Sequence, residues 1–177
     1  MFVLLAITVI FFYLLYEVWP LFQSAKVEPQ ARHATATVAA HVDIDEYRET
    51  GIRIEADGRV QYFRVGDNSS LGEARLPLPD GVTVSTVVRG SITSALVGLG
   101  LSDGRLLVVQ PVYDTALSQD NQREVTPGLV YPYGETPLAL DDSGAAIGVF
   151  ALRGDDTQLT VMGQSQGRLL LSRFETG

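Results

Sequence analysis

The chain contains no cysteine in 177 residues. That excludes disulfides, thiolate metal sites and cysteine catalysis, and it is compatible with a periplasmic location. Histidine is nearly absent too: only His33 and His41 occur. Positive charge is scarce, with 13 Lys and Arg against 21 Asp and Glu and a net charge of −8. Glu17 is the only charged residue among positions 1–24, so the rest of the chain carries −7. A domain of that sign repels phosphate backbones and anionic lipid, which argues against nucleic-acid binding and against concentrating an anionic substrate. No Lys or Arg precedes Arg32 except Lys26. Beyond residue 35, apolar runs of helical period and useful length are also missing. The weak candidate at 116–123 is rich in Ser, Asp and Asn and reads as a loop.

What is present is concentrated at the start. Residues 1–16 carry no charge, and Tyr13, Tyr16 and Trp19 gather around Glu17 and Pro20. A 22-residue helix rises roughly 33 Å, about one hydrocarbon core. Aromatic rings near one end suit a membrane–water interface. A cleaved signal would need a basic start, a shorter apolar stretch and a small-x-small cut; here the start is uncharged, the long apolar run ends in bulky residues, and Gln23-Ser24-Ala25 is a poor cleavage signal. Residues 1–22 are therefore expected to form a transmembrane helix. Residues 23–34, polar and containing Pro29, read as a linker. Lys and Arg normally mark the cytoplasmic side, and none stands before this helix. That side is expected to have been cut away, or the chain to begin at an internal Met.

Residues 35–177 alternate short apolar runs with Gly, Asp, Asn, Ser and Pro. A repeat is visible at 51–63, 96–109 and 159–171: strand, tight turn ending in Gly-Arg, apolar strand. Asp57-Gly58 and Asp103-Gly104 suggest type I′ turns, in which both central residues have positive φ. Gly58, Gly104 and Gly167 are 46 and 63 residues apart, the first near the ~40–45-residue blade of a propeller repeat. The longer spacing is assigned to an insertion at 111–134 with few strand signals. Further strands are expected at 37–44, 73–78, 83–89, 138–140 with 147–152, and 169–174, with a hairpin turn at 141–144. The fold class expected is mainly β: a transmembrane helix, then a partial β-propeller-like domain of about three antiparallel sheets. A closed propeller has typically four to eight blades, so the chain is expected to be an N-terminal fragment of a longer protein.

Catalytic patterns fail on context. Gly163-Gln164-Ser165-Gln166-Gly167 has the spelling of a nucleophile elbow, which needs a following helix and a later His. Here a strand follows and no His comes after Ser165. Gly98, Gly100 and Gly104 loosely match a dinucleotide fingerprint but lie in a strand and hairpin, where glycine permits close packing. His41, Asp43 and Asp45 share one strand face, near Glu46, and read as a solvated face in preference to a metal site. Asp141 and Asp142 are turn neighbours expected to point apart. Tyr113, Tyr131 and Tyr133 are expected to cap one end of the core. Arg residues look scattered, one at each turn, which is not an anion site. No catalytic, cofactor-binding or metal-binding residue is assigned, no cofactor is expected, and the chain is not expected to be an enzyme.

The run Ile10-Phe11-Phe12-Tyr13-Leu14 with Pro20-Leu21-Phe22 resembles the first transmembrane helix of phosphate ABC-transporter permeases of the PstC type. Residues 76–85 (LPLPDGVTVS), the 99–104 turn (LGLSDG) and residues 126–135 (TPGLVYPYGE) are similar to the same family. One branch of it carries a periplasmic β-propeller-like insert after the first helix. The resemblance covers nearly the whole chain but rests on structural turns. It implies the membrane-spanning permease subunit of an ATP-driven phosphate importer in the bacterial inner membrane, with the β domain periplasmic. The implied partners are the lipid bilayer, a second permease subunit, a cytoplasmic ATPase and a periplasmic phosphate-binding protein. Transport-pathway residues would lie beyond Gly177, so none is carried over. The alternative is a membrane-anchored β-propeller scaffold in envelope assembly.

Overall fold

The computed structural model describes residues 2–24, 32–35, 37–91, 94–117, 120, 123–155 and 157–175. The chain divides into two compact units, Met1–Arg32 and His33–Gly177. Residues 25–31 of the expected linker lie outside the described residues, as do 118, 119, 121 and 122 of the 116–123 segment.

In the first unit, helix α1 spans Phe2–Val18 and passes into a 3-10 turn at Trp19–Phe22. The helix thus ends slightly earlier than its apolar run. Pro20 has no N–H to donate and its ring crowds the preceding turn, so the α pattern gives way to a tighter one. Gln23 N–H closes that turn on the Pro20 carbonyl at 3.2 Å. The 21 residues Phe2–Phe22, mean hydropathy 2.2, are long and apolar enough to cross a membrane. The one threonine inside the run, Thr8, is satisfied: its hydroxyl donates to the Leu4 carbonyl at 2.9 Å.

The second unit is mainly β. Sheet 1 is a meander of β1 (Ala39–Ile44), β2 (Thr50–Glu55), β3 (Arg59–Arg64) and β4 (Ser70–Arg75). Sheet 2 follows with β5 (Val84–Arg89), β6 (Val97–Leu101), β7 (Arg105–Leu117) and β8 (Arg123–Val130), and the short β9 (Leu138–Ala139) also pairs with β7. Sheet 3 consists of β10 (Val149–Gly154), β11 (Gln158–Ser165) and β12 (Arg168–Glu175). All pairings are antiparallel. The three Gly-Arg hairpins, β2–β3, β6–β7 and β11–β12, occupy the second and third strands of consecutive sheets. The repeat read from sequence is therefore a repeat of structure, propeller-like in design.

Sheet 2 lies between the other two. Its Val97, Leu99, Leu101, Leu107 and Val109 meet Ile52, Ile54 and Val60 of sheet 1 in one core. Its Leu106 and Val108, from the opposite face, meet Phe150, Leu152, Leu159 and Val161 of sheet 3 in a second core. Burial on both faces explains why β6 and β7 read as continuous apolar runs. Each such side chain contributes roughly 1.5–3 kcal/mol of burial. Gly98 and Gly100 face sheet 3, where a Cβ would come within 2.3 Å of Leu152 and 3.1 Å of Phe150 respectively. Their glycine is a packing requirement.

Four expectations are corrected. First, Gly58 and Gly104 have positive φ but Asp57 and Asp103 do not. Gly58 and Gly104 N–H close i→i+3 turns on Glu55 and Leu101, which is a type I turn followed by a left-handed glycine. Only Gln166-Gly167 has two positive φ values, 47° and 75°, as a two-residue I′ loop requires. Second, 111–134 is no loop. β7 runs through Pro111 to Leu117 and pairs with β8 as a long ribbon, with Pro111 opposite Leu129 and Tyr113 opposite Pro127. Prolines are tolerated because β6 pairs with β7 only up to Val109, leaving the ribbon two-stranded. Third, the 141–144 turn forms, with Gly144 N–H on the Asp141 carbonyl, but it is not a hairpin. It joins β9 of sheet 2 to β10 of sheet 3. Fourth, β4 stops at Arg75, short of the expected 78, because Pro77 and Pro79 follow.

Candidate functional site

The polar face of β1 is built opposite to expectation. His41, Asp43 and Asp45 do share a face, but that face points inward. Asp43 and Asp45 are buried, His41 is half-buried, and Val42 and Ile44 are exposed. Neighbours explain the inversion. Asp45 accepts the N–H groups of Tyr47 (3.1 Å), Glu49 (2.7 Å) and Thr50 (2.8 Å), so its carboxylate is the hub of the β1–β2 loop. Asp43 accepts Arg89 of β5 across the sheet 1–sheet 2 junction. A buried carboxylate is tolerable only with such partners. Glu46 is exposed, away from this trio. Among the described residues no group of three His, Asp or Glu is placed to hold a metal.

Tyr113 of the ribbon lies over the same junction. Burial first, then Asp43 and Asp45, hold its phenol well above the usual value. Its hydroxyl is buried without a hydrogen-bond partner among the described residues. Burial likewise lowers the His41 pKa; Asp43 partly opposes this and Arg89 adds to it. The three tyrosines do not form one cap. Tyr113 and Tyr131 pack on the first core and Tyr133 on the second.

The ribbon leans on the β1–β2 loop and encloses a groove of about 520 Å³. Arg48, Arg64 and Arg123 line it, together with Glu49, Glu124 and Leu71. Arg123 pairs with Glu49, and its guanidinium sits 3.7 Å from the centre of the Tyr47 ring. Arg48 has φ of 61°, a left-handed backbone unusual for a long side chain. The Asp45 hub holds it there, since Arg48 N–H also closes on the Asp45 carbonyl at 3.0 Å. Arg64 is fixed at the end of β3 by N–H to Ser69 and carbonyl to Asn68. The arginines are therefore not all scattered. Sequence reasoning missed this because the groove exists only once the ribbon folds back on sheet 1. With Glu49 and Glu124 present and Arg123 already paired, the groove offers mixed charge, which suits a polar protein surface better than a free anion.

The other sequence candidates resolve as structure. Ser165 ends β11 before the Gln166-Gly167 turn and is buried. Its hydroxyl has no hydrogen-bond partner among the described residues, and the Asp141 carboxylate instead accepts the Ser143 N–H at 2.9 Å. Neither histidine belongs to this segment. Asp141 is buried and Asp142 exposed, so the pair points apart. Gly104 takes a left-handed turn in which a Cβ would meet the Asp141 carbonyl at 2.7 Å.

No protein-family model matches the chain, and no curated protein matches it. Among solved structures 44 chains match. One belongs to the structure described as "Crystal Structure of Mitotic Checkpoint Complex", with a TM-score of 0.33 and 12% identity over 85% of this chain. The match spans 47% of that chain, about half its length. A likeness of that size leaves the fold to be read from the sheets themselves.

Proposed function

We propose that the chain is part of the membrane-spanning permease subunit of an ATP-driven phosphate importer, supplying its first helix and a periplasmic protein-contact domain. The observation that carries the reading is the order of parts: a membrane-length apolar helix followed by a β domain of consecutive sheets. The segments that resemble PstC-type permeases fall at architectural points of that domain. Residues 76–85 link sheet 1 to sheet 2, 99–104 form the second hairpin turn, and 126–135 lead from β8 into the turn beyond it. The domain works by contact, through the ribbon and its groove, and not by chemistry. The partners are the second permease subunit, the ATPase and the phosphate-binding protein.

Deleting the gene should abolish high-affinity uptake of radiolabelled phosphate, and the protein should co-purify with a nucleotide-hydrolysing subunit. Unchanged uptake with a damaged envelope would favour the scaffold alternative. Titration of the detergent-solubilised chain with inorganic phosphate at millimolar concentration should give no heat of binding. Micromolar affinity would make the arginine groove a phosphate receptor and overturn the contact role.

A further inference from the structure

The internal repeat lets each position in sheet 3 be read against its counterpart in sheet 2. Counting from the turn arginines Arg105 and Arg168, Leu169 corresponds to Leu106 and Leu171 to Val108. The cross-strand partners agree: Leu106 and Val108 sit opposite Gly100 and Gly98, and Leu169 and Leu171 sit opposite Gln164 and Met162. In sheet 2 this face is sealed by sheet 3, and Leu106 and Val108 are 0% and 1% exposed. In sheet 3 the same face is bare: Leu169 and Leu171 are each 72% exposed. Val149 and Met162 extend the apolar patch on the same side, around Gln164, and Arg153, Thr160 and Arg173 bound it in the next row. Sheet 1 obeys the same rule, since Ile52, Ile54 and Val60 lie on its corresponding face and are sealed by sheet 2.

We infer that the Val149–Met162–Leu169–Leu171 face of sheet 3 is a docking surface for a fourth antiparallel sheet of the same repeat, carried by the same polypeptide. The inference rests on the repeat architecture and not on the transport reading. Three isolated leucine-sized side chains on a surface need no explanation, but a contiguous face matching two sealed interfaces does. The occupant must present an apolar leading face, as sheets 2 and 3 do. A second copy does not fit. Its one free leading face, on sheet 1, carries Arg53, Gln61 and Glu73 across the middle row, where sheets 2 and 3 present apolar side chains. Anionic membrane does not fit either, because the domain is acidic.

The absence of cysteine makes the test clean. Leu171→Cys, Met162→Cys and, as a reference at the end of β7, Leu117→Cys, as exposed as Leu171, are expressed from the native gene in its own membrane. Each is labelled with a maleimide. Leu171→Cys and Met162→Cys should react at least about tenfold more slowly than Leu117→Cys, because thiol labelling follows access. In the purified 177-residue chain Leu171→Cys should react as fast as Leu117→Cys, and Met162→Cys should lose its protection. Equal rates in the native membrane would overturn the inference. So would protection in the purified chain that grows with its concentration, which means a second copy, or with added anionic vesicles, which means a lipid surface. Agreement between two substituted positions guards against one variant that misfolds.

Discussion

Arg89, at the end of β5, places a guanidinium nitrogen 3.0 Å from a carboxylate oxygen of Asp43 in β1, tying sheet 2 to sheet 1. The carboxylate is 6% exposed and the arginine 56%. The asymmetry decides what each deletion does. Removing Arg89 leaves a buried charge unmet, whereas removing the Asp43 charge frees an arginine that water already reaches.

Arg89→Leu should therefore destabilise the domain by about 1–3 kcal/mol, and Asp43→Asn by less. In a domain of this size that is a fall in Tm of roughly 2–4 °C per kcal/mol. Thermal melts of the detergent-solubilised chain, followed by circular dichroism of its strands, would measure it. The double variant should cost less than the sum of the two. Strict additivity would mean that the pair is not coupled in solution.

His41 makes the same junction pH-sensitive. Its pKa is held below the ordinary imidazole value of 6.5, chiefly by burial. Above that value both folded and unfolded chains are neutral at this site. As pH falls below it, the unfolded chain takes up a proton that the folded chain resists, so stability declines until pH passes the folded pKa. The charged groups acting on His41 are Asp43 and Arg89, and Asp43 limits the effect. Stability to denaturant should drop between about pH 7 and pH 5, before most carboxylates titrate. His41→Gln should flatten that part of the profile. An unchanged slope in the variant would remove His41 from the account.

The sheet 2–sheet 3 contact depends on what is missing at Gly98. A Cβ there would lie 2.3 Å from Leu152 and 2.7 Å from Phe150. Gly98→Ala should cost about 1–3 kcal/mol through overpacking, and Leu152→Ala about 2–5 kcal/mol through the cavity it leaves. The added methyl fills part of that cavity, so Gly98→Ala with Leu152→Ala should be markedly milder than the sum. Denaturant midpoints of the four forms supply the cycle. A double variant as damaged as the sum would show that the two sheets do not meet there.

Much of this architecture is legible in the chain because turns and periodicity are local. Gly58, Gly104 and Gly167 mark three hairpins, and the unbroken run from Leu96 to Leu101 announces burial on both faces. What is not legible is set by distant partners. Alternation in β1 shows that His41, Asp43 and Asp45 oppose Val42 and Ile44, but not which set turns inward. Arg89 from another sheet and the N–H groups of the following loop decide that. Pro111 and Pro127 hide the ribbon, since proline argues against strands that need ladder bonds on both sides. The arginine groove is invisible for the same reason: Arg48, Arg64 and Arg123 are brought together only by the ribbon's return to sheet 1.

The helix Phe2–Phe22 should hold the chain in a bilayer. It carries no charge from Phe2 to Tyr16, it buries no side chain, and its one threonine is bonded to its own backbone. Such a helix loses little by leaving water and gains the burial of every face. Ile10 lies near its middle, where a charge costs about 2.5–3.5 kcal/mol on insertion scales. Ile10→Arg should therefore shift much of the protein from the membrane pellet to the supernatant after alkaline extraction and ultracentrifugation. Ile10→Leu, which keeps the apolar surface, should stay in the pellet. A wild-type chain recovered in the supernatant would show that the helix does not span, whatever its length and composition.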